Sequence, residues 1–435
     1  MDVSEETLEA ARVMLRNPFE VDPARRHKAA ARLAALDVDA ALGTLTHRTR
    51  HEDADRLALA WTLQQMESVA GKPAAPPVLK HLKPRRVMHV RIAAAAVRCH
   101  RQLLTLQGQS ATMGRLREEV WGACFGPSLE VTERLERVIR DHDVLIQGET
   151  GTGKETVASA VLAAIPGPGL DAAPQGTVNA AALPETLVES ELFGHIRGAF
   201  TGATRDRPGR IRGADGGGFF LDEVGDLPMT TQSKLLRLIE ADEVVPVGSD
   251  VSHRVDVRFV AATHHDLPRM VERGTFRRDL YERIAGCIIR VPALRERPED
   301  IVPIGMQFVS RWLGEGLQEK QGEQILSWLH SDETRQHPWP GNVRELNNAL
   351  RNMMLGLPPW PTRSLGPLPT SGGTAVPVEI LQGRATLAQV QDWYTRRVMD
   401  GCGGNHAQAA RTLGVDRSTL RRRARRRPQS LPASG

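Results

Sequence analysis

The sequence predicts an α/β core that carries a helical lid, with an all-α N-terminal region before it and a C-terminal helix-turn-helix after it. Three observations support this fold class. A short apolar strand at 143–146 runs into a glycine-rich loop and then into a helix. Two later strands are expected at 217–223 and 255–263. Residues 7–15 and 386–399 instead place apolar side chains at helical spacing.

The composition fits a globular protein of about two to four domains, since the 435 residues are 40% apolar and 25% charged. The net charge of +5 permits a nucleic-acid partner without requiring one. No run of about 18 apolar residues occurs and the first residues are acidic, so we expect no membrane span, no signal peptide and a cytoplasmic location. The four cysteines are too far apart in sequence for a zinc site, and we expect free thiols: Cys99, Cys124, Cys287 and Cys402.

Residues 1–112 are predicted to form a helical regulatory region. Helical spacing recurs at 28–36, 55–66 and 87–104, and prolines between 73 and 77 interrupt it. The region shows no fixed repeat period and no cluster of phosphate-accepting carboxylates of the receiver type. Two roles therefore stay open for it, a structural or docking module and a ligand sensor.

The glycine-rich loop after the first strand has the composition of a phosphate-binding loop. Its glycines let backbone N–H groups turn towards phosphate oxygens, and the following helix adds its positive N-terminal end. Lys154 supplies a charge for the β- and γ-phosphates of ATP, while Glu155 stands where the general motif has Ser or Thr. The predicted nucleotide-binding residues of this loop are Gly148, Glu149, Thr150, Gly151, Thr152, Gly153, Lys154 and Glu155.

Two adjacent carboxylates end the strand at 217–223. Asp222 suits Mg²⁺, whose hard charge prefers oxygen ligands, and Glu223 suits polarisation of an attacking water. An acidic pair after a strand is often only a solvated strand end. Downstream of a phosphate-binding loop in the same domain, the pair instead indicates a site for ATP and Mg²⁺.

A segment between these two motifs places one aromatic ring among five small residues: Gly198, Ala199, Phe200, Thr201, Gly202 and Ala203. It follows Glu191-Leu192-Phe193-Gly194-His195 and lies between the phosphate-binding loop and the acidic strand end. From about Trp121 to the C-terminus, these motifs together resemble the bacterial enhancer-binding activators of sigma-54 RNA polymerase, whose core is an AAA+ ATPase. The resemblance implies that residues 198–203 touch the sigma factor. On composition alone, Phe200 folding inward within an ordinary loop is the alternative.

The resemblance assigns catalytic roles to three more residues. It implies that Asn179 hydrogen-bonds Glu223 and relays the nucleotide state to residues 198–203. It also implies that Arg277 and Arg283 act on the nucleotide of a neighbouring subunit. The residues alone leave equal alternatives, a buried structural amide for Asn179 and surface ion pairs for the two arginines.

Two further positions are assigned to the nucleotide by the same resemblance. Arg344 would sense the γ-phosphate from the lid, in a helix for which Asn342 is the expected N-cap. On the residues alone, an ion pair between Arg344 and a nearby carboxylate is the alternative. His264 follows Ala261-Ala262-Thr263, where the family usually has Asn, and should reach the γ-phosphate. An imidazole differs from an amide in shape and charge, so this departure bears on the rate of hydrolysis.

The chain is divided into a helical region at 1–112, an α/β subdomain at 120–290, a lid at 291–356, a Pro- and Gly-rich linker at 357–384 and a DNA-binding domain at 385–428. Asn405 and Asp416 are expected to cap two helices joined by a glycine turn, which together form a helix-turn-helix. This arrangement resembles the Fis-type C-terminal domain of the same activators. The predicted contacts with double-stranded DNA are Arg417, Ser418, Thr419, Arg421, Arg422 and Arg423.

The predicted function is therefore ATP-driven remodelling of sigma-54 RNA polymerase, by a ring that assembles from DNA-bound dimers up to a hexamer. The rival interpretation is a DNA-binding transcription factor or repressor that keeps the AAA+ fold only for oligomerisation. His264 is the one feature that favours the rival.

Overall fold

A computed structural model of the chain describes residues 3–47, 51–68, 84–168, 170–313, 319–360, 386–401, 409, 410, 413 and 415. It divides into two compact units, Met1–Pro359 and Trp360–Gly435. None of the helices in these described ranges is long and apolar enough to cross a membrane.

The described parts of residues 3–104 form five α-helices, which confirms the helical prediction for the N-terminal region. The Ser4 hydroxyl accepts a hydrogen bond from the Thr7 N–H at the start of the first helix, and Asp22 caps the second in the same way. Their bounds are α1 Glu5–Leu15, α2 Pro23–Ala34, α3 Val38–His47, α4 His51–Ser68 and α5 Pro84–Leu104.

The α/β subdomain is a five-stranded parallel sheet covered by helices. The strands lie in the order β2-β5-β8-β1-β9, so that β1 is flanked by β8 and β9. Elements up to the second strand are α6 Ala111–Phe125, α7 Leu129–Asp141, β1 Val144–Gln147, α8 Lys154–Ala163 and β2 Gln175–Asn179. Those after it are α9 Glu185–Phe193, β3 Gly194–His195, β4 Arg207–Pro208, β5 Gly217–Asp222, α10 Met229–Ala241, β6 Glu243–Val244, β7 His253–Arg254, β8 Val257–Thr263, α11 Leu267–Glu272, α12 Arg278–Ile284 and β9 Cys287–Arg290.

The N-terminal helices and the sheet share one hydrophobic core. Ala96 and Val97 of α5 are buried in the same apolar cluster as Val157 and Val161 of α8 and Ile146 of β1. Because α8 begins at the phosphate-binding loop, the N-terminal region packs directly against the helix that carries this loop.

The lid follows the sheet. Its helices are α13 Ile301–Leu313, α14 Glu319–Leu329, α15 Asp332–Gln336 and α16 Asn342–Met354. Trp339 is fully buried before α16, and its indole N–H donates to the Thr334 carbonyl at 3.0 Å.

In the second unit, helix α17 spans Leu387–Gly401, as the sequence predicts. Ala409 and Ala410 are buried against Val398, Met399 and Leu413. The predicted DNA contacts Arg417, Ser418, Thr419, Arg421, Arg422 and Arg423 lie outside the described residues.

Candidate functional site

The carboxyl ends of four neighbouring strands meet at one edge of the sheet. The register pairs Asn179 of β2 with Asp222 of β5, Leu221 with Ala261 of β8, and Thr263 with Gln147 of β1. The phosphate-binding loop, the acidic pair and His264 each follow one of these strand ends. Ligands of open parallel sheets bind at this edge.

Two glycines shape the phosphate-binding loop. Gly151 and Gly153 have φ angles of 81° and 110°, which favour glycine. A Cβ at Gly151 would also lie 2.3 Å from the Gly341 carbonyl oxygen of the lid, and the Val343 N–H donates to the Gly151 carbonyl at 3.1 Å. The lid is therefore seated directly on the loop.

Lys154 is buried and folds back over its own loop. Its Nζ donates to the carbonyls of Gly148 at 2.8 Å and Glu149 at 3.3 Å, and lies 3.5 Å from Oε1 of Glu223. The lysine therefore links the loop to the acidic strand end within one site. The phosphate-binding loop and the acidic strand end thus lie side by side, and their roles in binding ATP stay a prediction.

A cavity of about 510 Å³ opens in front of the loop. Asp222, Glu223 and Arg344 face it together with the loop, and two further lid arginines, Arg311 and Arg351, also line it. The remaining lining residues are Thr105, Leu106, Gln107, Thr150, Gly151, Thr152, Gly153, Lys154, Glu155, Thr156, Val343 and Asn347. The first N–H groups of α8 have no intrahelical partner and are available to an anion here.

Asn179 contacts Asp222, whereas the resemblance implied a contact with Glu223. Its Nδ2 donates to Oδ2 of Asp222 at 2.7 Å, and its Oδ1 accepts from the Ala182 N–H at 3.1 Å. The side-chain amide of Asn179 therefore does not bond Glu223 as expected. The strand register pairs Asn179 with Asp222, so these two side chains lie on the same side of the sheet.

His264 binds Glu223. Its Nδ1 lies 2.7 Å from Oε2 of Glu223, and its backbone N–H donates to the same oxygen at 3.0 Å. His264 is absent from the lining of the 510 Å³ cavity and instead faces a neighbouring one of about 460 Å³. The imidazole of His264 therefore contacts Glu223, the carboxylate predicted to polarise the attacking water, and its approach to a γ-phosphate stays a prediction.

The two carboxylates of the acidic pair have opposite pKa shifts. Burial, helped by the nearby Glu223 charge, raises the pKa of Asp222 above its usual value. Burial acts in the same direction on Glu223, but hydrogen bonds from His264 and the charge of Lys154 outweigh it, and the pKa of Glu223 is lowered.

The donor set at Asp222 fits a magnesium ion that is shared with phosphates. The described ranges contain no group of three or more His, Cys, Asp or Glu side chains arranged to hold a metal. Mg²⁺ in nucleotide sites commonly takes one or two carboxylates, with water and phosphate oxygens as the other ligands. A cation beside Asp222 would also offset the repulsion from Glu223 that contributes to its raised pKa.

Glu149 holds the lid rather than facing the 510 Å³ cavity. Arg295 donates to its two carboxylate oxygens at 2.8 and 2.5 Å, and these bonds lower the pKa of Glu149 to about 2. Asn342 donates to Oε2 of Glu149 at 3.1 Å and accepts from the Leu294 N–H at 2.7 Å. The N-cap of α16 is Gly341 and not Asn342. The buried side-chain amide of Asn342 instead joins the phosphate-binding loop to the lid.

Residues 105–110 are here called the strap. Its first three residues, Thr105, Leu106 and Gln107, line the cavity and belong to no recognisable sequence motif. Asp300 of the lid accepts hydrogen bonds from the Gln109 N–H, the Ser110 N–H and the Ser110 hydroxyl at 2.6–2.7 Å. Arg297 donates to the carbonyls of Gln107 at 2.9 Å and Thr152 at 3.3 Å. The contacts of Asp300 and Arg297 with the strap join chain segments about 190 residues apart, for which the sequence carries no local signal.

Arg277 and Arg283 do not line the cavity. Arg277 forms an ion pair with Asp279 at 2.7 Å and donates to the Ser233 hydroxyl at 3.0 Å. Arg283 lies 3.4 Å from Asp141, beside a separate cavity of about 330 Å³. The ion pair of Arg277 is the alternative that the sequence left open.

The loop 198–203 is folded on itself by backbone bonds. The Gly198 N–H donates to the Ala203 carbonyl at 2.9 Å, and the Ala203 N–H donates to the Phe200 carbonyl at 3.0 Å. The Phe200 side chain is 38% exposed, and its ring packs edge-on against His195 with centroids 5.0 Å apart. Thr201 and Gly202 are exposed, so the loop presents a small surface with an accessible aromatic ring.

Three family descriptions match the sequence: "Sigma-54 interaction domain" over residues 127–290, "AAA+ ATPase lid domain" over 295–358, and "Bacterial regulatory protein, Fis family" over 388–426.

Similar proteins are transcriptional regulators. The chain is 43% identical over 281 residues to the transcriptional regulatory protein ZraR of Escherichia coli K12, covering 64% of this chain and 62% of ZraR. It is 37% identical over 390 residues to the regulatory protein LuxO of Vibrio cholerae, covering 81% of this chain and 72% of LuxO. The crystal structure of NtrX from Brucella abortus in complex with ADP shares 28% identity and a TM-score of 0.45, over 79% of this chain and 75% of that chain. The chain thus spans about three-fifths of the length of ZraR.

Proposed function

Since the chain belongs to the bacterial sigma-54-dependent transcriptional activators, with an AAA+ ATPase core and a Fis-type helix-turn-helix, we propose that it uses ATP hydrolysis to open promoters bound by sigma-54 RNA polymerase. The observation that carries this proposal is the meeting of Lys154, Asp222 and Glu223 at one cavity, with Lys154 and Glu223 3.5 Å apart.

ATP is the proposed substrate of this cavity. Lys154 and the first turn of α8 would hold the phosphates, Arg344 would contact them from the lid, and Glu223 would orient the attacking water. Mg²⁺ at Asp222 would neutralise charge on the phosphate oxygens. Glu155 lines the cavity, but its side chain is exposed at the start of α8.

The active form is proposed to be a ring of identical subunits, assembled from dimers up to a hexamer. Arg277 and Arg283 lie away from their own subunit's cavity, as residues that act on a neighbour's nucleotide should. In that ring, both arginines would exchange their present carboxylate partners for phosphate. Hydrolysis would then depend on assembly.

The loop 198–203 is the proposed contact with sigma-54, and the helix-turn-helix at 385–428 is the proposed contact with upstream double-stranded DNA. Action on these two partners would require a cytoplasmic location. The exposed Phe200 supports the first assignment, and the match to the Fis family at 388–426 supports the second. His264 is the one feature that favours the rival scaffold interpretation. Against it, His264 contacts Glu223, and Lys154, Asp222 and Glu223 all line the cavity.

The decisive measurement is steady-state ATPase activity against protein concentration. A working ring gives a specific activity that rises with assembly, whereas a scaffold gives little activity at any concentration.

Lys154→Ala should abolish tight ATP binding and leave DNA binding nearly unchanged. Thr201→Ala should keep ATPase activity and lose promoter opening in a purified transcription assay. Promoter opening at the wild-type level by Thr201→Ala would contradict the role of the loop.

The DNA contacts need a separate test. Arg421→Ala and Arg422→Ala should each weaken binding and reduce the log–log salt slope by about one unit, as expected for loss of one phosphate contact. An unchanged slope in both variants would place these arginines away from the duplex.

A further inference from the structure

We propose that His264 is the positioning residue of Glu223: it anchors one oxygen of this carboxylate so that the other stays directed at the nucleotide cavity. This inference rests on the proposed ATPase function and adds to it a residue that acts through the catalytic base. It also assigns to His264 the task that the family resemblance had given to Asn179.

The geometry separates the two oxygens of Glu223. Both contacts from His264, the imidazole Nδ1 at 2.7 Å and the backbone N–H at 3.0 Å, reach Oε2. Oε1 instead lies 3.5 Å from Nζ of Lys154, on the side of the phosphate-binding loop. A carboxylate held in this way presents its free oxygen in one direction only.

The backbone explains why Glu223 needs such an anchor. Its φ angle of 54° is left-handed and ends β5, so the side chain leaves the strand at a turn rather than along the sheet. Asn179 is committed to Asp222 by strand register. Within the described ranges, the side-chain contacts of the Glu223 carboxylate come from His264 and Lys154.

The ring of His264 is itself held. The ring of His265 packs against it, tilted by 36° with centroids 4.0 Å apart, and Nε2 of His265 lies 2.9 Å from Oδ1 of Asp226. Because Nδ1 of His264 faces a carboxylate, the tautomer with hydrogen on Nδ1 makes the stronger contact. An ordered donor on Oε2 restricts the rotation of the Glu223 carboxylate. General-base catalysis requires such a fixed orientation.

The chemistry of Asn and Gln provides a matched pair of variants. In Asn the Nδ2 donor is bonded to Cγ, as Nδ1 is in His, whereas the Nε2 donor of Gln lies one bond further out. His264→Asn should therefore keep the anchor, and His264→Gln should misplace it. His264→Ala removes the side-chain donor but keeps the backbone N–H, so the loss should be partial.

The test measures kcat and KM for ATP with the full chain, and nucleotide affinity in a non-hydrolysing background, Glu223→Gln. We expect His264→Ala to lower kcat by about tenfold with KM within about twofold of wild type, His264→Asn to restore at least half of kcat, and His264→Gln to resemble His264→Ala. In the Glu223→Gln background, His264→Ala should change neither residual turnover nor ATP affinity by more than about twofold. His265→Ala is the control for loss of a neighbouring imidazole and should lower kcat less than His264→Ala does.

Each of the following outcomes would overturn the inference. Wild-type kcat in His264→Ala would remove the residue from the reaction. Equal activities of the Asn and Gln variants would show that donor position is irrelevant. Weaker ATP binding by His264→Ala in the Glu223→Gln background would mean that the imidazole contacts nucleotide directly. A wild-type chain without ATPase activity at any concentration would overturn the proposed function and this inference with it, whereas activity lost in Glu223→Gln but kept in His264→Ala would overturn the inference alone.

Discussion

The N-terminal helices α1–α5 and the α/β core differ in their sequence motifs but share one hydrophobic core. The core carries motifs at almost every strand end, while α1–α5 carry helical periodicity without a motif. In the structure, Ala96 of α5 and Val157 of α8 are nevertheless buried in the same apolar cluster. The comparison teaches that a region without motifs can still be part of the catalytic domain's core.

The polar contacts between the two regions lead to the same conclusion. Arg98 of α5 binds carbonyls at the end of α8, and Arg56 of α4 makes a two-bond ion pair with Glu130 of α7 at 2.5 and 2.9 Å. The strap then joins α5 to the lid through Asp300. If these contacts matter, changes in the N-terminal region should destabilise the core rather than only change its regulation.

Removal of residues 1–104 should have the largest effect. It would expose the apolar face of α8, whose Val157, Ala158, Ala160 and Val161 are fully buried. Each such side chain contributes about 1–3 kcal/mol through burial, and the total stability of a domain is only about 5–15 kcal/mol. We expect an insoluble or non-cooperatively unfolding product, measured by solubility and thermal denaturation.

The matched control removes the other end of the chain. A chain ending at Pro359 lacks the second unit and should unfold with nearly the wild-type midpoint. A soluble chain 105–435 that unfolds cooperatively at the wild-type midpoint would show that α1–α5 form an independent domain.

Asp300→Ala should have the next largest effect. The carboxylate of Asp300 is fully buried, accepts three bonds from Gln109 and Ser110, and lies 3.8 Å from the buried Arg297. Its removal leaves a buried cation and two N–H groups without their acceptor, which costs about 3–5 kcal/mol. Urea denaturation would measure the loss, with the exposed neighbour Glu299→Ala as the control. Equal stabilities of the two variants would contradict a structural role for the strap.

The parts of the site that consist of residues close together in the chain could be predicted from the sequence. A strand, a glycine-rich turn and a helix are consecutive in the chain, so the positions of Gly151 and Lys154 follow from residues that are neighbours. Two details were wrong, the partner of Asn179 and the cap at Asn342, since strand register and lid packing decide them. The strap and Arg297 were missed because their contacts span about 190 residues and need no motif.

Asp143 tests the core side of the comparison, at the opposite edge of the sheet. Burial raises its pKa to about 6, although Arg283 and the Phe259 N–H act to lower it. An acid whose folded pKa exceeds its unfolded value of about 4 binds more protons when folded, so its contribution to stability is lost as pH rises from about 4 to 6. Asp143→Asn should remove this pH dependence, a difference of up to about 3 kcal/mol. Parallel stability curves for variant and wild type between pH 4 and 7 would contradict the prediction.

Arg98→Lys should have the smallest effect, and it isolates hydrogen bonding from charge at the junction between the two regions. The guanidinium of Arg98 donates to the carbonyls of Ala163 at 3.3 Å, Ile165 at 3.2 Å and Leu170 at 2.9 Å, and burial lowers its pKa. These acceptors lie at and beyond the C-terminal end of α8, where a cation also interacts favourably with the helix dipole.

A lysine at position 98 keeps the charge and loses the planar fork that reaches three acceptors, so we expect a loss of about 1–2 kcal/mol. Arg115→Lys, at an exposed position on α6, is the control and should change stability by less than about 0.5 kcal/mol. ATP affinity should stay within about twofold of wild type, because Lys154 stands at the other end of α8, one helix length away. A loss of ATP affinity without a loss of stability would mean that the N-terminal region acts on the phosphate-binding loop through α8, rather than only supporting the helix by packing.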